Sequence, residues 1–507
     1  MATNRFMKKD SIIKRVVLLP ALVLSVGFIG CKKNFLDRQP LGTYTSTDIA
    51  AGSYDSQVFG VYSALRAEGV SGVKYIAVHS IRSDDADKGS SVNDAVDAEN
   101  FFDNFQYTKD FWLLNDYWGD HYKLIGLANN VISDIDSAKA TDAPTLTNRA
   151  EAKFLRAYAY FDLVRAFGEV PKINFKVTNA AQANVPKSPV AEIYALIDAD
   201  LQDAATYLPL SWEAKYAGRL TKGAANALQA KAYLYRQNWA GALAAAKMVI
   251  NSGQYNLNTP YNKIFTEEGE NSSGSIFEIQ AVKTQTQDFG LQYGTVQGVR
   301  GAGAMDLGWG WNTPNQNLAS AYETGDPRKD ATLLYSGQVN TPYGELIPAA
   351  TADVPRPYWN KKVYTNPAVR NANNDKQGRG VNMRVLRYAD VLLMAAEAAN
   401  ELGGVQNTTD ALAYLEMVRA RARAGNNSVL PKITTTDQAL LRDAIRKERR
   451  IELAMEGDRF FDLVRWGIAK QVFTAQGKNY QDKNRYLPIP QPEIDKSAGV
   501  LKQNPEY

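Results

Sequence analysis

The sequence predicts a mostly α-helical protein, built as a tetratricopeptide-like helical repeat scaffold with long irregular loops. Three observations lead to this prediction. Apolar residues recur at helical spacing over much of the 507-residue chain, whereas continuous β patterns are few. Several helical segments follow each other in pairs, and small residues fall where two helices must approach closely. Long segments without either periodicity separate the pairs.

Helical periodicity defines the candidate helices one by one. Pro189, directly after Ser188, gives one of them a good start, because proline is favoured in the first turn of a helix. We expect the apolar stripe of each helix to face a shared core. The candidate helices lie near residues 48–67, 109–137, 148–167, 189–206, 221–236, 239–251, 383–402, 409–423 and 436–456.

Three pairs of these helices predict the repeat scaffold. The stretch 224–250 has the pattern of a helix, a short turn and a second helix, with Ala230, Tyr233 and Ala242 at tetratricopeptide spacing. A second pair spans 386–421 with a turn at Gly403 and Gly404, and a looser pair joins 111–136 to 148–167. Stacked pairs bury a common apolar face and make a rigid core. The irregular segments between them are 69–107, 252–315 and 335–382.

The N-terminus has the layout of an export signal. Residues 5–15 are basic, and the apolar run Val16–Gly30 is shorter than the ~20 residues that a membrane-spanning helix needs. Cys31, the only cysteine, directly follows this run and a small residue. This arrangement predicts a lipoprotein signal, with Cys31 as the acylated first residue of the mature protein. A plain secretory signal followed by an incidental thiol is the alternative.

Composition excludes several functional classes. The formal net charge is +4, and the excess of positive charge comes from residues 1–30, so the remaining body is near neutral and lacks the basic face of a nucleic-acid-binding protein. One cysteine and two histidines are too few for an internal disulfide or a cysteine- or histidine-rich zinc site. His79 and His121 lie in no recognisable catalytic motif and are expected in the core or in solvent. No cofactor is predicted.

The most densely charged stretch lies at residues 448–467. Glu448, Glu452 and Glu456 recur every four residues, so a helix places them on one face, where they repel each other. Arg459 and Arg465 follow in the next turns, among large apolar residues. We interpret the five charged residues as a partly buried structural ion network. An acid and base pair of a glycosidase is disfavoured, because neighbouring arginines lower the pKa of a carboxyl group.

Local signals also predict where the helices of this stretch begin and end. Thr435 and Gln438 fit a capping box at the start of the first helix. Gly457 offers the left-handed residue that ends it, and Asp458 is placed to cap the next turn.

These residues carry a resemblance to the SusD/RagB family of outer-membrane nutrient-binding lipoproteins. The family pattern is roughly E-R-R-x-E-L-x-x-E-G-x-R-x-x-D-L-x-R-W-G. The segments Phe35–Asp37 with Pro40, PIPQPEID and LKQNPEY resemble the family's first and last segments, so the resemblance covers nearly the whole mature chain. The matching residues of the pattern are Glu448, Arg449, Arg450, Glu452, Leu453, Glu456, Gly457, Arg459, Asp462, Leu463, Arg465, Trp466 and Gly467.

The resemblance implies a SusD-like fold and a function without catalysis. A member of the family would capture oligosaccharide, or in some relatives peptide, at the outer membrane. It would then pass the ligand to a SusC-like TonB-dependent barrel. We expect a signal peptide at 1–30, a lipid tether at 31–46 and one SusD-like body at 47–507, with an N-terminal half at about 47–251 and a C-terminal half at about 252–507.

The loop 298–316 is the first candidate for ligand contact. Trp309 and Trp311 alternate with glycines, and Asn312 follows them. Flat aromatic faces bind the C–H faces of sugars, while polar neighbours bind the hydroxyl groups. Core packing is an equal alternative for Trp309. Ligand contact is favoured for Trp311, because polar groups lie beside it in the loop.

Asp84 and Asp85 are the second candidate, in the segment 75–94. They do not have the alternating ligand spacing of a calcium loop, so no metal site is predicted. They could accept hydrogen bonds from sugar hydroxyls, and the family places ligand contacts in this region. The alternative is that Asp84 and Asp85 are solvated carboxylates of a surface loop without a ligand.

The sequence thus predicts a lipid-anchored protein that binds oligosaccharide at the cell surface without converting it. Peptide capture by the same scaffold is one alternative. A helical-scaffold glycosidase is another, and it requires two facing carboxylates in a cleft. An adaptor that binds only protein through its helical repeats is the third.

Overall fold

A computed structural model of the protein describes residues 53–507. In this part of the chain, a series of eight long helices forms the scaffold, and each packs against the next along the chain. A shorter helix, α1 (Asp55–Ala64), precedes the series and packs against its first two members. The eight are α2 (Trp112–Ala138), α3 (Ala143–Phe167), α4 (Val190–Tyr207), α5 (Lys222–Tyr235), α6 (Trp239–Ile250), α7 (Tyr388–Leu402), α8 (Val405–Arg423) and α9 (Gln438–Glu452).

The three predicted helix pairs are present as α2–α3, α5–α6 and α7–α8. Side-chain caps start several of these helices: Asp142 accepts a hydrogen bond from the Thr145 amide, and Asn238 accepts one from the Gly241 amide. Small residues such as Ala230 and Ala242 are fully buried where α5 and α6 meet their neighbours. The prediction of a mostly helical, tetratricopeptide-like scaffold is therefore confirmed.

Four local predictions are wrong in detail. Residues 383–387 form a strand rather than the start of a helix, and Pro189 precedes α4 instead of lying in its first turn. The N-cap of α9 is Asp437, whose side chain accepts from the Leu440 amide at 2.9 Å, so the expected capping box is absent. Asp458 makes no capping hydrogen bond because its carboxylate binds Lys231.

The helix carrying the glutamate row also ends earlier than expected. It stops at Glu452, and a turn follows in which Met455 has a φ of 65° and Gly457 a φ of 91°. Glycine adopts this left-handed backbone without steric cost. The turn leads into α10 (Arg459–Arg465).

Short strands and short helices lie in the segments that were predicted to be irregular because they show no helical or strand periodicity. Within residues 53–507, twelve short strands are numbered β1 to β12 in this order: Ala86–Gly89, Val170–Pro171, Lys187–Ser188, Ser275–Ile279, Val282–Lys283, Asp288–Phe289, Trp311–Pro314, Leu333–Tyr335, Val339–Asn340, Glu345–Leu346, Tyr358–Asn360 and Met383–Arg387. They form six antiparallel two-stranded sheets, β1–β7, β2–β3, β4–β12, β5–β6, β8–β11 and β9–β10. The remaining α-helices are Glu68–Ser71, Val73–Ile76, Val96–Ala98, Gln292–Gln297, Gln316–Ala321, Arg328–Thr332, Pro367–Asn373, Ala469–Ala475 and Gln491–Lys496.

None of the helices in residues 53–507 is long and apolar enough to cross a bilayer. The predicted signal peptide, Cys31 and the lipid tether at 31–46 lie outside the described residues.

The glutamate row is buried and paired with cations from four other segments. Glu448 and Glu452 both bind Arg328, and Glu452 also binds Arg387 at 2.9 Å. Glu456 binds Arg387 at 2.7 Å and Lys362 at 2.6 Å. Two further arginines come from α8, with Arg419 on Glu448 and Arg421 on Glu452.

Of the five residues of the predicted network, Arg459 and Arg465 bind carboxylates other than the three glutamates. Arg465 binds Glu397 of α7 and Asp462 of its own helix. Arg459 reaches across to Asp84, with Nε 2.7 Å from Oδ1. The charged stretch therefore connects the helical scaffold with the loop segments on both sides of it.

We predict that Glu452→Gln lowers the free energy of unfolding at pH 7 by about 3–5 kcal/mol, because it leaves buried arginines without their partner. Burial alone would raise the pKa of Glu452, but Arg421, Arg387 and Arg328 hold it at about 2, below the ordinary 4.5. A depressed pKa stabilises the fold above pH 4.5, and that contribution is lost as the pH falls towards 2. Denaturant unfolding across this range should therefore show the difference between wild type and variant shrinking.

Glu213→Gln is the matched control, since this carboxylate is 76% exposed and its pair with Lys215 is worth less than about 1 kcal/mol. A Glu452→Gln deficit that is small at pH 7, or constant from pH 4.5 to 2, would contradict the prediction.

Candidate functional site

Strand pairing brings the two predicted ligand segments together. β1 and β7 run antiparallel, with Gly89 opposite Trp311 and Asp87 opposite Thr313. The amide of Ser90 donates to the carbonyl of Gly310 just beyond the pair. Gly310 has a φ of 74°, and a Cβ there would lie 2.7 Å from the Arg300 side chain. Glycine is therefore required for the loop to pack this closely.

Trp311 is packed inside this junction, and the expectation that it presents an open ring is wrong. Only 5% of the residue is exposed. Its indole Nε1 donates to Oδ2 of Asp94 at 3.0 Å, and the Lys88 ammonium lies 5.1 Å from the ring centroid. The hydrogen-bond partner that a buried tryptophan needs is thus a carboxylate of the facing segment.

Asn312 is also buried and has a protein partner. Its Nδ2 donates to Oε1 of Gln297 at 2.6 Å, and Asn360 donates to the same oxygen at 2.8 Å. Asn312 adopts a φ of 55°, which asparagine tolerates better than most residues. The geometry gives this side chain a role in fixing the start of β7.

Asp84 and Asp85 are buried in ion pairs, not displayed on the surface. Asp84 binds Arg459, and Asp85 binds Arg450. Burial would raise the pKa of Asp84, but the hydrogen bond and charge of Arg459 hold it below its ordinary value. Because a guanidinium takes the place that a ligand hydroxyl would need, these two carboxylates anchor the start of β1 to the C-terminal helices.

Trp309 is the ring of the loop that remains partly exposed. It packs edge-on against Trp311, with ring centroids 6.4 Å apart and planes at 69°. Trp311 in turn binds Asp94, whose carboxylate lies 3.2 Å from Arg300 Nη1, and Arg300 also donates to the Ser90 hydroxyl at 2.8 Å. We call Trp309, Asp94 and Arg300 the Trp309 surface.

Asp94 and Arg300 were missed by the sequence analysis. Partial burial would raise the pKa of Asp94, but hydrogen bonds from Ser90 and Trp311 and the charges of Lys88 and Arg300 hold it below its ordinary value. An ionised carboxylate accepts through two oxygens, and a guanidinium donates through several N–H groups. The surface therefore combines a ring with both hydrogen-bonding polarities.

The two histidines are hydrogen-bonded inside the core. Both are buried: His79 lies 2.9 Å from the hydroxyl of Tyr117, and His121 lies 3.3 Å from the carboxylate of Asp162. In the part of the chain that the structure describes, no group of three or more His, Cys, Asp or Glu residues is arranged to hold a metal ion.

Two family models match the chain. Residues 273–507 match the SusD family, and residues 35–234 match a model described as starch-binding associating with outer membrane. The SusD-like protein P2 of Formosa agariphila is 30% identical over 514 residues, covering 96% of this chain and 98% of that protein.

Two further matches have lower sequence identity. The starch-binding protein SusD of Bacteroides thetaiotaomicron is 26% identical over 381 residues, covering 65% of this chain and 66% of that protein. A solved structure of a laminarin-binding SusD-like protein has 26% sequence identity and a TM-score of 0.71, covering 89% of this chain and 98% of that chain.

We predict that Trp311→Ala destabilises the protein by about 3–5 kcal/mol, because it opens a cavity in the core and leaves Asp94 without its indole donor. Thermal or denaturant unfolding measures the loss. Trp112→Ala is the control: this tryptophan is 51% exposed, and its removal should change stability by less than about 1 kcal/mol. Equal stability of the Trp311 variant and wild type would contradict the packing role.

Proposed function

The chain belongs to the SusD family, and from this premise we propose that it captures oligosaccharide at the outer membrane without converting it. The Trp309 surface is the proposed contact site. A partly exposed indole offers a flat apolar face to a sugar ring, while Asp94 accepts and Arg300 donates hydrogen bonds to hydroxyl groups. This combination of a supported ring with two polar neighbours is the observation that carries the proposal.

Relatives support the ligand class. One related structure is named as laminarin-binding, and the related SusD protein is named as starch-binding. Both names refer to neutral glucose polymers, whose rings have apolar faces and many hydroxyl groups. We therefore expect neutral oligosaccharides to bind this chain in preference to peptides.

The proposal includes a membrane anchor and a transport partner. Acyl chains on Cys31 would hold the protein at the outer membrane, at ~0.8 kcal/mol for each buried methylene. A SusC-like TonB-dependent barrel would receive the captured ligand, as the family resemblance implies. A model described as associating with the outer membrane, which matches residues 35–234, supports this location.

Binding without hydrolysis is supported by the environment of the candidate carboxylates. A glycosidase needs an acid with a raised pKa facing a second carboxylate across a cleft. Asp84, Glu448 and Glu452 each lie in an ion pair with an arginine, which occupies carboxylate oxygens that a catalytic acid would need free. Incubating the protein with laminarin and starch should therefore release no reducing ends, and turnover abolished by a single Asp or Glu substitution would overturn this part of the proposal.

We predict that Trp309→Ala weakens binding of laminarihexaose or maltohexaose about tenfold, since loss of an aromatic contact costs ~1 kcal/mol or more. Because the ring is only partly buried, the midpoint of thermal unfolding should fall far less than in Trp311→Ala. Isothermal titration calorimetry measures the binding. Trp239→Ala, which removes a partly buried tryptophan from the start of α6, is the matched control.

Two results would count against the Trp309 surface. Unchanged glycan affinity in Trp309→Ala would remove the ring from the site, and an equal loss in Trp239→Ala would mark the effect as nonspecific. Titration with a mixture of oligopeptides tests the alternative ligand class, and tighter binding of peptide than of any glycan would replace the proposed ligand.

We predict that Cys31→Ala releases the protein from the membrane fraction, because the acylated residue is removed. Fractionation and metabolic palmitate labelling measure the change, with the wild type labelled and the variant unlabelled. Lys32→Ala, next to the cysteine, should leave the anchor intact. Palmitate labelling that persists in Cys31→Ala would contradict the assignment.

A further inference from the structure

A concave region made of other residues than the Trp309 surface lies in the C-terminal part of the protein. It encloses about 420 Å³, within the range of roughly 300–1,000 Å³ that small-molecule sites occupy. Its lining shares no residue with the Trp309 surface. We call it the Tyr343 cleft and define it by Phe265, Glu267, Glu268, Asp330, Tyr343 and Lys361.

Aromatic rings form much of the apolar wall of this cleft. Tyr343, in the turn between β9 and β10, is partly exposed and lies against Tyr364, with ring centroids 5.3 Å apart and planes at 59°. Phe265 and Tyr261 contribute further ring surface. A tyrosine held by a second ring presents a flat face in a fixed orientation, which lowers the entropy cost of stacking on a ligand.

The wall is held in place by the buried ion network. The hydroxyl of Tyr261 donates to the carbonyl of Glu452 at 3.1 Å. The ammonium of Lys362, which binds Glu456, lies 4.5 Å from the centroid of Phe265. These contacts fix the cleft before any ligand arrives, so binding need not order its walls.

Two glutamates provide hydrogen-bond acceptors in the cleft. Glu267 uses Oε1 to accept from the Asn366 amide, and Glu268 uses Oε2 to bind Lys263. A carboxylate accepts through both oxygens, so each of these glutamates retains acceptor capacity towards the cleft. Partial burial and the charges of Glu267 and Glu268 together raise the pKa of Tyr343 to about 12, so its hydroxyl remains a donor at neutral pH.

The net charge of the side chains that line the Tyr343 cleft favours some classes of ligand over others. Lys263 is matched by Glu268, and Lys361 donates to the Asp330 carbonyl and the Thr341 hydroxyl. Glu267 and the Asp330 carboxylate bind neutral donors instead, the Asn366 amide and the Tyr335 hydroxyl. Negative charge therefore exceeds positive charge in the cleft, which disfavours uronates and sulfated sugars and favours ligands with many neutral hydroxyl donors.

We propose that the Tyr343 cleft is a second binding site for a neutral oligosaccharide. A sugar ring stacks on Tyr343, and its hydroxyl groups donate to Glu267 and Glu268. The cleft and the Trp309 surface use different residues, so each binds its ligand whether or not the other is intact. With two sites, one chain holds either two short oligosaccharides or two segments of a longer chain, and the second mode increases avidity without any new contact.

The experiment counts binding sites by isothermal titration calorimetry. Laminarihexaose, maltohexaose, cellohexaose and xylohexaose are the probes, and hexagalacturonate is the anionic comparison. Wild type should bind two equivalents of at least one neutral probe. Tyr343→Ala and Val369→Trp should each bind one, the first by removing the ring and the second by filling the cleft from the helix Pro367–Asn373. Tyr207→Ala, a partly exposed tyrosine at the end of α4, should still bind two.

Combining the variants separates this proposal from the function proposed for Trp309. One equivalent in wild type that only Trp309→Ala removes would overturn the cleft and leave the Trp309 surface standing. One equivalent that only Tyr343→Ala and Val369→Trp remove would support the cleft and overturn the Trp309 surface. Hexagalacturonate binding that depends on Tyr343 would overturn the charge argument, and absence of binding for every neutral probe would overturn both sites.

Discussion

Pairing between arginine and carboxylate around α9 is the interaction on which the rest of the structure depends. The Glu452 carboxylate binds Arg387 of β12, Arg421 of α8 and Arg328 of the segment before β8. This one side chain therefore connects the helical scaffold to two loop segments. Arg449, fully buried beside it, binds Asp390 of α7 and Asp462 of α10. Each charged group in the network pairs with several others. Removing any one of them therefore leaves a charge without its partner in the low-dielectric interior of the protein.

The value of such a network lies in geometry more than in stability. Taking charges from water into the interior costs several kcal/mol for each ion, and their attraction repays this only when the hydrogen bonds are complete. Guanidinium and carboxylate groups meet in a planar, directional arrangement. A shift of one segment would therefore break several bonds together. Hydrophobic packing along the helices is less directional, and by itself it would leave the loop segments free to settle in more than one position.

Particular residues explain which predictions the sequence could support. Helices and their pairs follow from local periodicity and small residues, so α5 and α6 were predictable within a few residues. The residues 448–465 carried a pattern dense enough to indicate ion pairing. Their partners were not predictable, because Arg328 and Lys362 lie more than 90 positions away in sequence and reach the row only through the fold. Trp311 shows the same limit: its burial depends on Asp94, which β1–β7 pairing brings to it.

The network also determines which charged side chains are already occupied by protein partners. Asp84, a candidate ligand contact in the sequence, is occupied by its ion pair with Arg459, and the contacts that we propose instead are rings packed on this network. One line of contacts runs from Arg459 through Asp84 to β1, and from β1 through β7 to Trp309. Another runs from Glu452 through Tyr261 to the Tyr343 cleft. Both lines of contacts end in a partly exposed aromatic ring, so one buried network supports both proposed surfaces.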